Sequence, residues 1–202
     1  MGACAGPRER VSDCVAPQKR TSLGRFIDFE LTEPCGVGSF HIQFGGMSMK
    51  TIPERFLEQG TRCAGSPAYH EYVQGSWKVT DWETYAEQGR TVAKALIALG
   101  LEHGQRICIL GQNTAEWVLA DVGAMLVGGV PAGIYSTCSP EEVAYIVRHA
   151  EAPIVFVQNE AQFAKIVSER ESLPDLKHVV LFRGASVDDD LAMTWEAFCA
   201  QA

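Results

Sequence analysis

Residues 128–146, GGVPAGIYSTCSPEEVAYI, bring three glycines and a Tyr-Ser-Thr cluster to the threshold of a helix. Glycine-freed N–H groups, hydroxyls and a helix N-terminus are the ingredients of a phosphate cradle. A Walker-type loop also needs a lysine for the β/γ-phosphates and a Ser/Thr for magnesium. The stretch has no lysine. A dinucleotide fingerprint needs G-x-G-x-x-G between a strand and a helix. Here Gly128 and Gly129 precede the apolar run and Gly133 lies inside it. The glycines therefore read as a helix stop and as room for close helix–strand packing. Position is what remains: Tyr135, Ser136 and Thr137 fall at the carboxyl end of a strand, the side on which open α/β sheets place ligands. They are the candidate substrate-binding residues, with Ser139 taken up as a helix cap.

No other chemistry assembles from spacing. His41, His70, His103, His149 and His178 stand apart from any Ser, Cys or Asp partner at a known interval. His149 suits a helix C-terminus, where an imidazolium is favoured anyway. The seven cysteines form no CxxC pair and no zinc spacing. Cys108 lies in an apolar run and reads as a small hydrophobe, whereas Cys138 sits in the loop of interest. Asp188, Asp189 and Asp190 could hold a metal, but a solvated loop is the simpler reading. Neither a metal site nor a nucleophile–base pair is expected.

The elements that position these residues show in the punctuation. Thr51-Ile52-Pro53-Glu54 is a capping box with proline just inside, opening a helix to about Arg62. Residues 68–73 and 77–79, around Gln74-Gly75-Ser76, read as a hairpin. Thr80-Asp81-Trp82-Glu83 reads as a second capping box, leading into Trp82, Tyr85, Gly89, Val92, Leu96 and Leu99 at helical spacing, with Gly100 as the stop. Strands are expected at 106–110, 130–135, 153–157 and 179–182. Helices capped around Asn113-Thr114, at Ser139 and at Asn159 lie between them, and a last helix is expected over 194–202. Short apolar strands alternating with capped helices mean a parallel α/β sheet with helices on both faces through βαβ crossovers, preceded by the hairpin.

Composition sets the frame. The chain has 202 residues, 47% hydrophobic and 21% charged, enough for a real core without staples. A formal charge of −8 without a dense basic run excludes a nucleic-acid footprint. The unpaired cysteine pattern fits a reducing, cytoplasmic setting. No apolar run approaches the ~18–20 residues that span a bilayer. Residues 1–46 mix Gly, Pro, Cys and balanced charge without a period, and little stable structure is expected there. Their acids suit no typical transit peptide, and the ordered pattern begins just after Met47 and Met49. The expected division is a leader or extension over 1–46 and a folded part over 47–202, with Met1, Met47 and Met49 all open as the true start.

On these residues alone, enzyme, binding module and structural piece stay open. The order of elements and several stretches resemble the N-terminal region of adenylate-forming (AMP-binding) enzymes, above all long-chain fatty-acid–CoA ligases, including the bubblegum type. The resemblance runs over roughly residues 50–183. It is most specific over 112–150, where Asn113-x-x-Glu116-Trp117, then Gly128-Gly129-x-x-x-Gly133-Ile134-Tyr135-x-Thr137, then Ser139-Pro140-Glu141 occur together.

The resemblance implies activation of a carboxylic acid by magnesium-ATP to an acyl-adenylate and pyrophosphate, followed by displacement of AMP by coenzyme A. It also implies a Ser/Thr/Gly-rich phosphate loop ending in Lys, a Thr-Glu pair, a ribose-binding Asp and a lysine on a mobile lid. Residues 51–202 contain no Ser/Thr-Gly cluster followed by Lys, so the family pattern places no catalytic residue here. The expected identity is thus the N-terminal portion of such a ligase, the region 47–202 being part of its adenylation domain. It is expected to be inactive alone and to bind ATP, Mg2+ or CoA only weakly by itself. A non-catalytic module pairing with a complementary chain, self-association and peripheral membrane contact stay open beside it. Acyl-chain length is not legible.

Overall fold

The computed structural model describes residues 43–44, 47–48, 50–73 and 75–202. The expected leader over 1–46, with His41, lies outside these residues apart from one short strand, as do Met49 and Gln74. That strand, β1 (Gln43–Phe44), pairs antiparallel with β2 (Met47–Ser48), which the sequence pattern does not announce.

Helix α1 (Ile52–Arg62) begins where Thr51 and Glu54 exchange hydrogen bonds in the expected capping box. Strands β3 (Pro67–Val73) and β4 (Ser76–Asp81) form the hairpin, turning through Gly75 at φ +83°. Helix α2 (Trp82–Ala98) follows directly, but the second capping box does not form. Thr80 stays in β4 opposite Tyr69, and Asp81 becomes the cap, accepting from the Thr84 N–H at 2.8 Å. Asp81 keeps extended backbone (φ −82°, ψ 168°) and its ladder partner Pro67 while capping α2, so the helix starts one residue later than a Thr80 box would require. Gly60 and Gly89 let α1 and α2 close on each other: a Cβ on Gly89 would meet Phe56 Cε1 at 2.7 Å.

The main sheet contains β5 (Arg106–Leu110), β6 (Val130–Ile134), β7 (Ile154–Val157), β8 (His178–Leu181) and β9 (Ala192–Thr194). All neighbours pair in parallel, in the order β6-β5-β7-β8-β9. Between them run α3 (Ala115–Leu126), α4 (Pro140–Ala150) and α5 (Glu160–Ser168), and α6 (Trp195–Cys199) follows β9. The parallel α/β sheet with both faces covered is therefore present. Alternation divides the core: Ile107, Ile109, Ile154, Phe156 and Val180 face α2, α3 and α6. Cys108, Leu110, Val155, Val157 and Leu181 face α4 and α5.

Two features depart from the sequence reading. Strand β9 is not announced by any apolar run, because its three residues Ala-Met-Thr are only half-buried. Strand β6 is not a core strand but an edge: only Ile134 is buried, and Val130 is 50% exposed. The edge explains Pro131, since proline lacks the N–H that a second neighbour would require. Gly128, at φ +75°, stops α3, and a Cβ there would press into His103. Gly133 gives Trp117 of α3 its seat, with a Cβ position only 3.0 Å from Trp117 Cζ2. Both are the structural roles that the spacing suggested.

Phe156 joins the central strand to α6 through edge contacts with Phe198 (5.3 Å between centroids) and Trp195 (6.2 Å). It is fully buried. Phe156→Ala should lower unfolding free energy by about 3–5 kcal/mol in urea titration, whereas Tyr145→Ala, at a 59% exposed position, should cost far less.

Candidate functional site

Parallel strands end together, so the loops after β5, β6, β7 and β8 share one rim of the sheet. The chain order also reverses there: β5 leads to β6 on one side, and the chain then crosses back to β7 on the other. A 2-1-3-4-5 strand order of this kind opens its ligand crevice between the first and third strands, here β5 and β7. Tyr135, Ser136 and Thr137 stand one strand away, beyond the tip of β6.

At the crevice between β5 and β7 the two loops are tied to each other. Gln158, just after β7, accepts from the backbone N–H of Gln112 through Oε1 at 3.0 Å. Its Cβ lies 2.9 Å from where a side chain on Gly111 would begin, so glycine is what lets the two loops close. On the neighbouring loop after β8, Arg183 reaches Glu116 Oε1 at 3.2 Å. Glu116 is the buried charged residue of the described core, with 6% exposure. The pair ties the start of α3 to the end of β8.

The loop 135–139 is held from α5. Lys165 Nζ donates to the carbonyl oxygens of Ser136 (2.8 Å) and Cys138 (2.7 Å), and Gln162 Nε2 donates to Ser136 as well (3.3 Å). The Cys138 N–H closes a turn onto the Tyr135 carbonyl at 3.0 Å. Tyr135 is left 82% exposed and Thr137 is exposed, with Ser136 half-buried between them. The three candidates thus share one loop at the strand-end rim, anchored through its backbone carbonyls.

The helix starts on this rim are already satisfied. Ser139 accepts from the Glu142 N–H and Glu142 accepts from the Ser139 N–H at 2.8 Å, so a carboxylate occupies the positive end of α4. Asn159 caps α5 and Thr114 caps α3 with one side-chain acceptor each, from the Gln162 and Trp117 N–H groups, without the reciprocal carboxylate. The rim cations Lys165 and Arg183 are likewise engaged within the chain, on loop carbonyls and on Glu116. Sequence reasoning did not single out Lys165, Gln158 or Arg183, because each works through a partner far along the chain. Glu116 is visible in the sequence at a helix start and in the Asn113-x-x-Glu116-Trp117 motif, but its partner Arg183 is not.

The remaining candidates resolve simply. Cys108 is buried in β5, and burial pushes its thiol up to about 12, which removes it as a nucleophile. Asp190 and Asp189 receive Arg170, with Asp190 contacts at 2.9 and 3.0 Å, and this ion pairing holds the Asp190 carboxyl below its ordinary range. His149 stacks on Tyr145 one turn before it. Among the described residues no group of three His, Cys, Asp or Glu gathers as a metal site. No described helix is long and apolar enough to cross a membrane.

Comparison with known proteins places this geometry. The AMP-binding enzyme family model matches residues 56–202. The chain belongs to the AMP-binding enzyme family. Human long-chain-fatty-acid–CoA ligase ACSBG2 (Homo sapiens) is 38% identical over 149 residues, covering 73% of this chain and 22% of that protein. Bovine ACSBG1 (Bos taurus), also named a long-chain-fatty-acid–CoA ligase, is 39% identical over 112 residues, 55% of this chain and 15% of that one. Among solved structures, the anthranilate CoA ligase AuaEII in complex with anthranoyl-AMP superposes with TM-score 0.57 at 26% identity, covering 65% of this chain and 25% of that chain. A benzoate CoA ligase from Burkholderia xenovorans shares the fold, with TM-score 0.61 at 21% identity over 75% of this chain and 28% of its own. The chain spans about a fifth of the length of the curated relatives it matches.

Family membership gives the rim its physical sense. In the Asn113-x-x-Glu116-Trp117 and Gly133 motifs, Glu116 anchors the β8 loop and Trp117 packs over Gly133. These residues build the frame.

Two predictions follow from the rim and from the strand beneath it. Lys165→Met removes the cation from two carbonyls, so the Cys138 amide should exchange with solvent about tenfold faster and the Cys138 thiol should react faster with maleimide. Unchanged exchange would show that the loop holds itself. Cys108 ionises ordinarily at 9.0 and in the fold at about 12, and Tyr85, also raised by burial, moves from 10.0 to about 12. The fold keeps both neutral while the unfolded chain ionises them, so stability holds up to about pH 9 and falls as pH rises towards 12. Urea midpoints between about pH 8 and 11 should show that decline, and Cys108→Ala should flatten it.

Proposed function

We propose that this chain is the N-terminal portion of the adenylation domain of a long-chain fatty-acid–CoA ligase, with the family chemistry completed by protein outside these 202 residues. That chemistry joins a fatty acid, ATP and coenzyme A, giving acyl-CoA, AMP and pyrophosphate, with Mg2+ offsetting the phosphate charge. Residues 47–202 form the frame of that domain and residues 1–46 an extension preceding it. Human and bovine relatives bearing the ligase name support the substrate class.

The chain alone does not catalyse the reaction. The observation that supports this is the tie across β5 and β7, with Gln158 accepting from the Gln112 N–H, beside an α4 N-terminus occupied by Glu142. Adenylate formation requires charge neutralisation on the phosphates and in-line placement of a carboxylate. Here the cations Lys165 and Arg183 are committed to carbonyls and to Glu116. Tyr135, Ser136 and Thr137 act in the complete domain as part of a substrate-facing wall, held in shape by Lys165.

A second reading has a specific observation in its favour. Large apolar side chains stand exposed on the hairpin and beside the β6 edge, including Trp77 and Tyr135, as in a module that pairs with a complementary ligase chain. ATP–pyrophosphate exchange with palmitate tests the inactivity that both readings share. The purified chain should give no exchange above a no-enzyme control. Exchange that disappears when palmitate is withheld would overturn the proposal.

A further inference from the structure

An apolar recess lies on the face covered by α2, α3 and α6, reaching the loop after β8 at Arg183. It is an open groove of about 390 Å³. Buried Val92, Leu119 and Trp195 line it, and Glu87, Arg183 and Glu196 stand around them. Arg183 is drawn to Glu116 at 3.2 Å, and Glu87 pairs with Arg90 at 3.3 Å across an exposed turn. Among the lining residues two carboxylates, Glu87 and Glu196, stand against one guanidinium, Arg183, so the surround is net negative. A fatty-acid carboxylate would meet repulsion here; a basic partner would not.

One hydrogen bond links the groove's wall to the hairpin. Gln88 lines the groove and accepts from the Tyr69 hydroxyl of β3 at 3.1 Å. The hairpin turns Tyr72, Trp77 and Val79 outward, at 65%, 68% and 55% exposure. A two-stranded ribbon is marginal by itself, and aromatic pairs in water mark a surface meant to be covered. The family match includes every residue lining the groove, yet the chain spans only 22% of its human relative and 25% of a solved one. Most of a complete relative lies outside what this fold contains.

We propose that the groove between α2 and α6, with the adjoining hairpin, docks a polypeptide segment from the remainder of an AMP-binding domain. The segment inserts an apolar side chain over Leu119 and Trp195 and places a flanking lysine or arginine beside Glu196 and Glu87. This deepens the reading of the chain as one portion of a ligase by naming the surface and the chemistry of its complement. It rests on that reading for the source of the segment.

The test uses the full 202-residue chain and labelled synthetic peptides of about 20 residues tiling the part of human ACSBG2 outside its matched span. Fluorescence polarisation should find saturable binding by a peptide with an apolar centre and a Lys/Arg flank. Thr91→Trp, which fills the groove, should weaken it about tenfold or more. Glu196→Lys, at an exposed position, should weaken it and remove part of its salt dependence. Lys177→Glu, outside the groove, should leave it unchanged. Absence of binding by every peptide, or binding indifferent to both Thr91→Trp and Glu196→Lys, would overturn the proposal. So would competition by palmitate, or a dimer of the chain that Thr91→Trp dissolves, since each names a different occupant. Pyrophosphate exchange does not probe this groove, so the catalytic reading and the docking proposal can fail separately.

Discussion

A parallel sheet must hide both of its faces, and nearly everything in this protein follows from that demand. Strand β7 is buried at every residue and β8 at all but its first. Such strands carry no polar face, so helices must close on them from above and below. The chain alternates faces to supply those helices, with α3 on one side and α4 and α5 on the other. Aromatic residues lock the arrangement where α6 meets the sheet, through Phe156, Trp195 and Phe198. Hydrophobic burial of this kind is non-directional, so glycines at Gly89, Gly128 and Gly133 set how close each element can come.

The same demand decides where polar chemistry can go. Inside the sheet there is none, and Cys108 is held neutral by its surroundings. Polar groups gather at the strand ends, where they are spent on fixing loops: Gln158 on Gln112, Lys165 on Ser136 and Cys138, Arg183 on Glu116.

The fold was largely legible because its signals are local. Capping boxes at Thr51 and Ser139 formed as written, and the strand at 106–110 fell on its apolar run. Signals failed where a second element intervened. Thr80 was claimed by the hairpin ladder, β9 gained its place from β8 and not from its own composition, and β6 proved an edge because only β5 pairs with it. The rim was less legible still. Tyr135, Ser136 and Thr137 could be placed at a strand end, but the lysine that holds their loop lies 27 to 29 residues away from its carbonyl partners, and the Glu116–Arg183 pair joins different helices and strands. Long-range polar pairs leave no period in a sequence. Family resemblance supplied what spacing could not, marking Glu116, Trp117 and Gly133 as a group before their contacts were known.

The central claim is that the chain is a self-supporting frame whose rim does not by itself hold nucleotide. Amide hydrogen exchange with and without magnesium-ATP addresses both halves at once. The account predicts the slowest exchange at residues 107–110, 154–157 and 179–181, and no change on adding nucleotide at 111–114, 135–139 or 158–159. Rapid exchange throughout the central strands, or new protection of those loops by magnesium-ATP, would contradict it.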